Sequence, residues 1–158
     1  MYALWEIERA QSKTVDSEIA KDNVIKEKIS IKSHGCKAAI FWNFISLLNC
    51  CTYSVYDNEG KIIHRSYVIH KCIKFLFLKG NDIEIGPCRT ESLWRGNNIY
   101  PHVLKWIIDN ELGENDKAFM IIDENNIASQ AGVKKVGFRK VCRVERTGIL
   151  KIYRCIDE

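Results

Sequence analysis

Apolar and polar positions fall into clear blocks only after residue 50. Cys51 to Tyr56 and Ile62 to Ile69 are rich in β-branched and aromatic residues. Asp57-Asn58-Glu59-Gly60 between them is a turn sequence, so the pair predicts a β-hairpin. Ile73 to Leu78 reads as a further short strand or an extended loop. Residues 82–88 alternate, with Ile83 and Ile85 on one face and Glu84 on the other, until Gly86-Pro87 disturbs the strand as a bulge would. Pro101 to Leu112 predicts a helix. Val103, Leu104, Ile107, Ile108 and Leu112 share a face, Pro101 suits the first turn and Gly113 the end. Residues 118–122 read as a buried strand. Asn125 and Asn126 can cap a short helix to about Lys135. Val141 to Arg146 and Ile149 to Tyr153 form a final hairpin around Thr147-Gly148.

The first 50 residues are less regular. Tyr2 to Ile7 predicts a short strand. Val15 to Ile29 carries an imperfect helical period, and Ala38 to Leu48 reads as a buried helix. Strands and helices alternate, with hairpins in the middle and at the end, which is a mixed α/β layer protein.

Composition narrows this. The 158 residues are 46% hydrophobic and 28% charged, an ordinary globular chain with one expected domain over 1–158. With 2 prolines and 9 glycines, little material is left for a linker. A net charge of +4 suits an anionic small ligand, but Lys and Arg are spread along the chain, which argues against nucleic acid. Seven cysteines include no Cys-x-x-Cys pair, and no secretory signal opens the chain, so reduced thiols in a cytoplasmic protein are expected. No apolar run is long enough to span a membrane. A homodimer is compatible with the pattern, which leaves the oligomeric state open.

The chemistry concentrates between residues 82 and 112. A strand ends near Cys88, a polar loop follows, and a helix starts near Pro101. Unpaired N–H groups and the positive dipole end make such a helix start attractive to anions. Gly96 allows close backbone approach. Asn97 or Asn98 can adopt a left-handed conformation. Arg95 adds a permanent charge. A pyrophosphate-sized anion site and an ordinary strand-loop-helix turn are both consistent with these residues.

Trp94-Arg-Gly-Asn-Asn-Ile-Tyr-Pro-His-Val-Leu104 resembles the acyl-CoA-binding motif of the GNAT acyltransferase superfamily, Gln/Arg-x-x-Gly-x-Gly/Ala. Arg95 holds its first position. Asn98 and Tyr100 depart from it, standing where the family has small residues. Asn126 to Phe138 is similar to a second family segment, matched at Asn126, Ser129, Lys135, Gly137 and Phe138. Val133 stands where many members have a tyrosine that protonates the leaving thiolate.

The resemblance implies a mixed, mostly antiparallel sheet flanked by helices and splayed between strands 82–88 and 118–122. Residues 50–155 would be the cofactor-binding core and 1–49 the acceptor side. Cys88, Arg89 and Thr90 would hold the thioester end of acetyl-CoA. Arg95, Gly96, Asn97, Asn98, Ile99 and Tyr100 would hold its pyrophosphate, with Asn126 and Ser129 nearby. The implied reaction is direct attack of a small-molecule amine on acetyl-CoA. The stretch is similar to members from surface-polysaccharide and amino-sugar pathways, which makes a nucleotide-linked amino sugar the favoured acceptor. Alternatives are a peptide or protein amine, a GNAT-fold module that binds CoA without catalysis, and an interaction domain using the basic surface.

Glu84, beside the expected thioester, is the first candidate base, with His70 second. His102 faces cofactor or solvent. Tyr100, Tyr153 or water would replace the missing acid. Cys88 lacks an evident partner for nucleophilic chemistry. The Cys50-Cys51 and His64…His70-x-Cys72 groups match no zinc spacing, so no metal is expected.

Overall fold

The structure is a computed structural model that describes residues 1–18, 23–28, 50–70, 74–148 and 152–156. Its strands are β1 (Tyr2–Glu8), β2 (Val24–Lys28), β3 (Cys50–Tyr56), β4 (Ile62–Ile69), β5 (Ile83–Thr90), β6 (Lys117–Asp123), β7 (Arg139–Thr147) and β8 (Ile152–Ile156). The helices are α1 (Ile99–Glu111), between β5 and β6, and α2 (Ile127–Val136), between β6 and β7. Among the described residues, eight strands lie in one sheet, in the order β2-β3-β4-β5-β6-β1-β7-β8. Every pairing is antiparallel except β5 with β6.

The predicted hairpin of β3 and β4 is present, as are both helices, the strand before α1 and the strand after it. Two expectations need correction and one open alternative is settled. Val15 to Ile29 is not a helix: residues 12–17 are irregular and Val24–Lys28 is the edge strand β2. Its apolar residues never filled a continuous helical stripe. Of the two readings for Ile73 to Leu78, the described part, residues 74–82, takes the loop, through turns. The cysteines are not all reduced, because Cys142 and Cys155 form a disulfide across β7 and β8. Their Cα atoms are 5.9 Å apart on paired strands, a separation that their sequence spacing does not announce. The helix expected over Ala38 to Leu48 lies outside the described residues, as do Cys36 and Cys72.

The first strand lies deep in the sheet. β1 inserts between β6 and β7, pairing Trp5 with Met120 on one side and Lys140 on the other. Its Ala3, Leu4, Trp5 and Ile7 are buried. Trp5 and Ile7 join the main core, which α1 covers with Ile99, Val103, Leu104, Ile107 and Ile108 and α2 with Val133 and Val136. Leu4 faces the other side of the sheet with Phe119 and Val144.

Both helices end and begin for local reasons. Asn126 caps α2, its Oδ1 accepting from the Ser129 N–H at 3.1 Å. Gly137 closes α2 at φ 111, with its N–H shared between the Val133 and Lys134 carbonyls. A Cβ at Gly137 would sit 2.7 Å from the backbone oxygen of Gln11. Gly137→Val is therefore expected to cost about 1–3 kcal/mol, combining backbone strain with that clash, as read by chemical denaturation.

Candidate functional site

β5 and β6 pair only at their beginnings, Ile83 with Ala118 and Glu84 with Phe119. Beyond those two rungs the strands part. β5 is bulged at the same place. Val68 of β4 faces Ile85, yet Ser66 faces Cys88, so two β5 residues, Gly86 and Pro87, stand against one β4 residue. Parting and bulge together leave backbone of β5 open toward the start of α1.

A cavity of about 450 Å³ lies beside the end of β5, between it and the two helices. Cys88, Arg89 and Thr90 line it from β5, Arg95 and Gly96 from the loop, Asn98, Ile99 and Tyr100 from the head of α1. Asn126 and Ser129 line it from α2. Of the eleven residues expected at a cofactor site, these ten come together. Asn97 is not in the lining: its side chain donates to the Trp94 carbonyl, and its own carbonyl accepts from Ser17 Oγ at 2.8 Å. It ties the loop to the N-terminal segment.

The head of α1 is built for an anion. Asn98 precedes the helix at φ 54, the left-handed turn that the sequence allowed. Of the first-turn amides, those of Ile99 and Tyr100 have no partner within the helix, Pro101 carries no N–H, and the His102 N–H donates to the Asn98 carbonyl at 3.0 Å. Arg95 is anchored by its Nε to the Thr90 carbonyl at 3.1 Å. Lys135 reaches from α2 to donate to Asn98 Oδ1 at 2.9 Å, placing a second cation at the helix start. Sequence reasoning gave Lys135 no site role. Its separation of 37 residues from Asn98 hides the contact, although both lie in the two motif segments.

Tyr100, the bulky departure from the motif, turns inward. A Cβ on Gly132 would lie 2.7 Å from its ring carbons, so the absence of a side chain at Gly132 makes room for it. Its hydroxyl approaches Met120 Sδ at 3.8 Å, within the parting of the strands. Burial first, then the nearby Cys88 and Glu84, push this phenol well above its ordinary value.

Glu84 is 5% exposed and lies outside the cavity lining. It faces away from α1, between Ile69 and Phe119 on the neighbouring strands. Gly86 leaves space for it, because a Cβ there would meet Glu84 Oε1 at 2.8 Å. Glu84 Oε2 is buried with no hydrogen-bond partner among the described residues. Burial raises its pKa well above the ordinary 4.5.

His70 also lies outside the lining. It pairs with Glu111 at 3.6 Å, beside Cys51. Burial lowers its pKa, against the opposite pull of Glu111. The donor atoms of Cys51, His70 and Glu111 all lie within 4.8 Å of one another, a grouping that spacing along the chain did not suggest. The Glu111 carboxylate is already taken by the Tyr53 hydroxyl and the Lys26 ammonium, so its charge is balanced by Lys26. His102 faces neither cofactor nor solvent alone: its Nδ1 meets the Val15 carbonyl at 2.9 Å. Tyr153 is on β8, where its hydroxyl accepts from Arg146. Val133 is buried in the core, so α2 offers no hydroxyl there.

Sequence reasoning also missed a polar row beside the cavity. His64 is 1% exposed, with Nδ1 2.7 Å from Thr90 Oγ1 and Nε2 2.8 Å from Ser66 Oγ. Ser66 Oγ donates to Cys88 Sγ at 3.1 Å. Burial holds His64 down to about 4. Unfolded, it titrates near 6.5, so the stability it contributes is complete above that pH and drains away as pH falls to about 4. The shift is worth about 3 kcal/mol. His64→Gln is expected to flatten the acid limb of stability against pH, read by urea denaturation at pH values on either side of this window.

The strand order, the parallel pairing of β5 with β6, their parting and the cavity at the head of α1 describe one known architecture. Solved structures agree. A GNAT-family acetyltransferase from Colwellia psychrerythraea matches with a TM-score of 0.56 at 13% identity, over 89% of this chain and 52% of that one.

The chain has the GNAT fold.

A GNAT-family protein from Novosphingobium aromaticivorans matches with a TM-score of 0.55 at 12% identity, over 89% of this chain and 61% of that one. The glucosamine N-acetyltransferase region of a fungal multi-domain β-N-acetylglucosaminidase matches with a TM-score of 0.54 at 11% identity, over 89% and 20%. The chain thus spans from a fifth to about three-fifths of these structures. No protein-family model and no curated protein sequence matches it. Among the described residues, no helix of this GNAT fold is long and apolar enough to cross a membrane.

Proposed function

We propose that the protein transfers an acetyl group from acetyl-CoA to a small-molecule amine. The observation that carries this reading is the opening between β5 and β6, which joins the anion-suited head of α1 to the bulged backbone of β5. Arg95, Lys135 and the first amides of α1 would take the pyrophosphate. The β5 backbone near Cys88 would hold the thioester carbonyl, where oriented N–H donors favour a developing oxyanion. Glu84 would accept the proton of the attacking ammonium, directly or through water, because a carboxylate raised by burial is a stronger base than an ordinary one. The cofactor cavity lies on the α1 side of the sheet and Glu84 faces the other. The reading therefore brings the amine in from the face opposite the cofactor.

An amino sugar is the first acceptor class to test. The motif stretch supports it by its similarity to amino-sugar-pathway members, and one fold neighbour is a glucosamine N-acetyltransferase region. A cytoplasmic location belongs to the same reading. The experiment is thiol release from acetyl-CoA in the presence of amino sugars, nucleotide-linked amino sugars and peptide amines, with Arg95→Glu as control. Amine-dependent release that the control loses supports transfer. Acetyl-CoA binding without release by any amine would favour a binding module, the reading that buried Val133 suggests.

A further inference from the structure

The four side chains beside the cavity form a wire with one consistent polarity. They come from two cross-strand pairs, His64 with Thr90 and Ser66 with Cys88. Ser66 spends its only proton on Cys88 Sγ. The nitrogen facing Ser66, His64 Nε2, must then be the donor. A neutral imidazole has one N–H, so Nδ1 accepts, and Thr90 Oγ1 supplies the proton. The direction runs from Thr90 through His64 and Ser66 to Cys88. Cys88 keeps its own S–H for another acceptor. Both ends, Thr90 and Cys88, line the cavity.

We propose that Cys88, fed through Ser66 and His64 from Thr90, protonates the sulfur that leaves when the acyl thioester is cleaved. This rests on the acetyl-CoA reading above. The carbon–sulfur bond breaks and its electron pair stays on the leaving sulfur. Cys88 gives that sulfur its thiol proton. Ser66 replaces it from its hydroxyl, His64 replaces that from Nε2, and Thr90 protonates Nδ1 and is refilled by water at the cavity mouth. Cys88 and His64 never carry a net charge in this passage. After product leaves, water at both ends returns the imidazole to its first tautomer by a proton entering at Cys88 and leaving at Thr90.

Burial argues against covalent chemistry at Cys88. It pushes the Cys88 thiol up to about 12, so the group keeps its proton and is a poor nucleophile. The same burial keeps His64 neutral, and a neutral imidazole passes a proton by exchanging tautomers. The wire also supplies what α2 lacks, because position 133 is a buried valine.

The first test needs no turnover. Nitrogen NMR of the imidazole in the wild-type protein is expected to show His64 neutral with the proton on Nε2 at neutral pH. A proton resting on Nδ1, or a charged ring, would overturn the proposal. Calorimetry with acetyl-CoA follows on wild type, Cys88→Ala, Cys88→Ser and His64→Gln, each checked for folding by thermal melt. Turnover is then read with hydroxylamine as the amine, corrected for its background reaction. Cys88→Ala is expected to lower kcat about 100-fold with little change in KM for acetyl-CoA, and Cys88→Ser to restore most of it. His64→Gln is expected to lower kcat by at least about 10-fold, again with KM preserved. Unchanged kcat in Cys88→Ala, or mass-spectrometric detection of an acetyl group on Cys88, would overturn the proposal. Wild-type protein that fails to bind acetyl-CoA would instead overturn the acyltransferase reading, and the proposal with it.

Discussion

Glu84→Gln is expected to make the protein more stable at neutral pH and to lower kcat by roughly 100- to 10,000-fold. The two effects share one cause. The carboxyl is buried, one of its oxygens has no partner among the described residues, and burial raises its pKa. Unfolding releases it to its ordinary value of 4.5. The folded state therefore binds the extra proton, and the stability tied to that proton is complete below about pH 4.5. It is lost as pH rises through the raised folded value. Glutamine removes the cost of a buried charge but cannot accept a proton. Urea denaturation across pH should show a flatter neutral limb in the variant, alongside the loss of turnover. A variant that keeps its kcat would remove Glu84 from the role of base. A variant with unchanged stability at neutral pH would show that the carboxyl is better solvated than its surroundings indicate.

Ile7→Asp should be the most damaging single substitution in the N-terminal segment, costing more than about 4 kcal/mol. Ile7 is fully buried in a strand bonded on both sides. An aspartate there would bury a carboxylate against the core shared with α1 and α2, without a partner. The damage would spread, because β1 is what joins β6 to β7, and β8 hangs on β7. Glu8→Ala, at the end of the same strand and partly exposed, is expected to stay within about 0.5 kcal/mol. Denaturation midpoints of the two variants compare a sheet-spanning position with a peripheral one. Similar midpoints would contradict the placement of β1.

That placement marks the limit of what the sequence disclosed. Tyr2 to Ile7 reads as a strand from its own residues, but nothing local says that it lies between two strands more than a hundred residues away. The β3–β4 hairpin and α1 were legible because their signals are local: a turn sequence between β-branched runs, and apolar residues returning every helical turn. The cavity lining was legible for a similar reason, since one strand-loop-helix segment supplies most of it. The wire was hidden. His64 and Ser66 share a face of β4, and Cys88 and Thr90 share a face of β5, but the two faces meet only through the bulge. Without it, the Val68–Ile85 pairing would set Pro87 opposite Ser66 and turn Cys88 to the other side of the sheet. Gly86-Pro87 signals that a bulge is present and says nothing of what it aligns.

The central claim is that the opening at the head of α1 binds acetyl-CoA. The most direct measurement is the melting temperature with and without acetyl-CoA, on wild type and Arg95→Glu. At about 100 times its dissociation constant, a ligand adds about 2.7 kcal/mol. For a chain of this size that is a rise of roughly 5–10 °C. The account predicts that rise in wild type and its loss in Arg95→Glu, which melts normally without ligand because Arg95 is at the surface. No rise in wild type at millimolar acetyl-CoA, or an equal rise in both proteins, would contradict it.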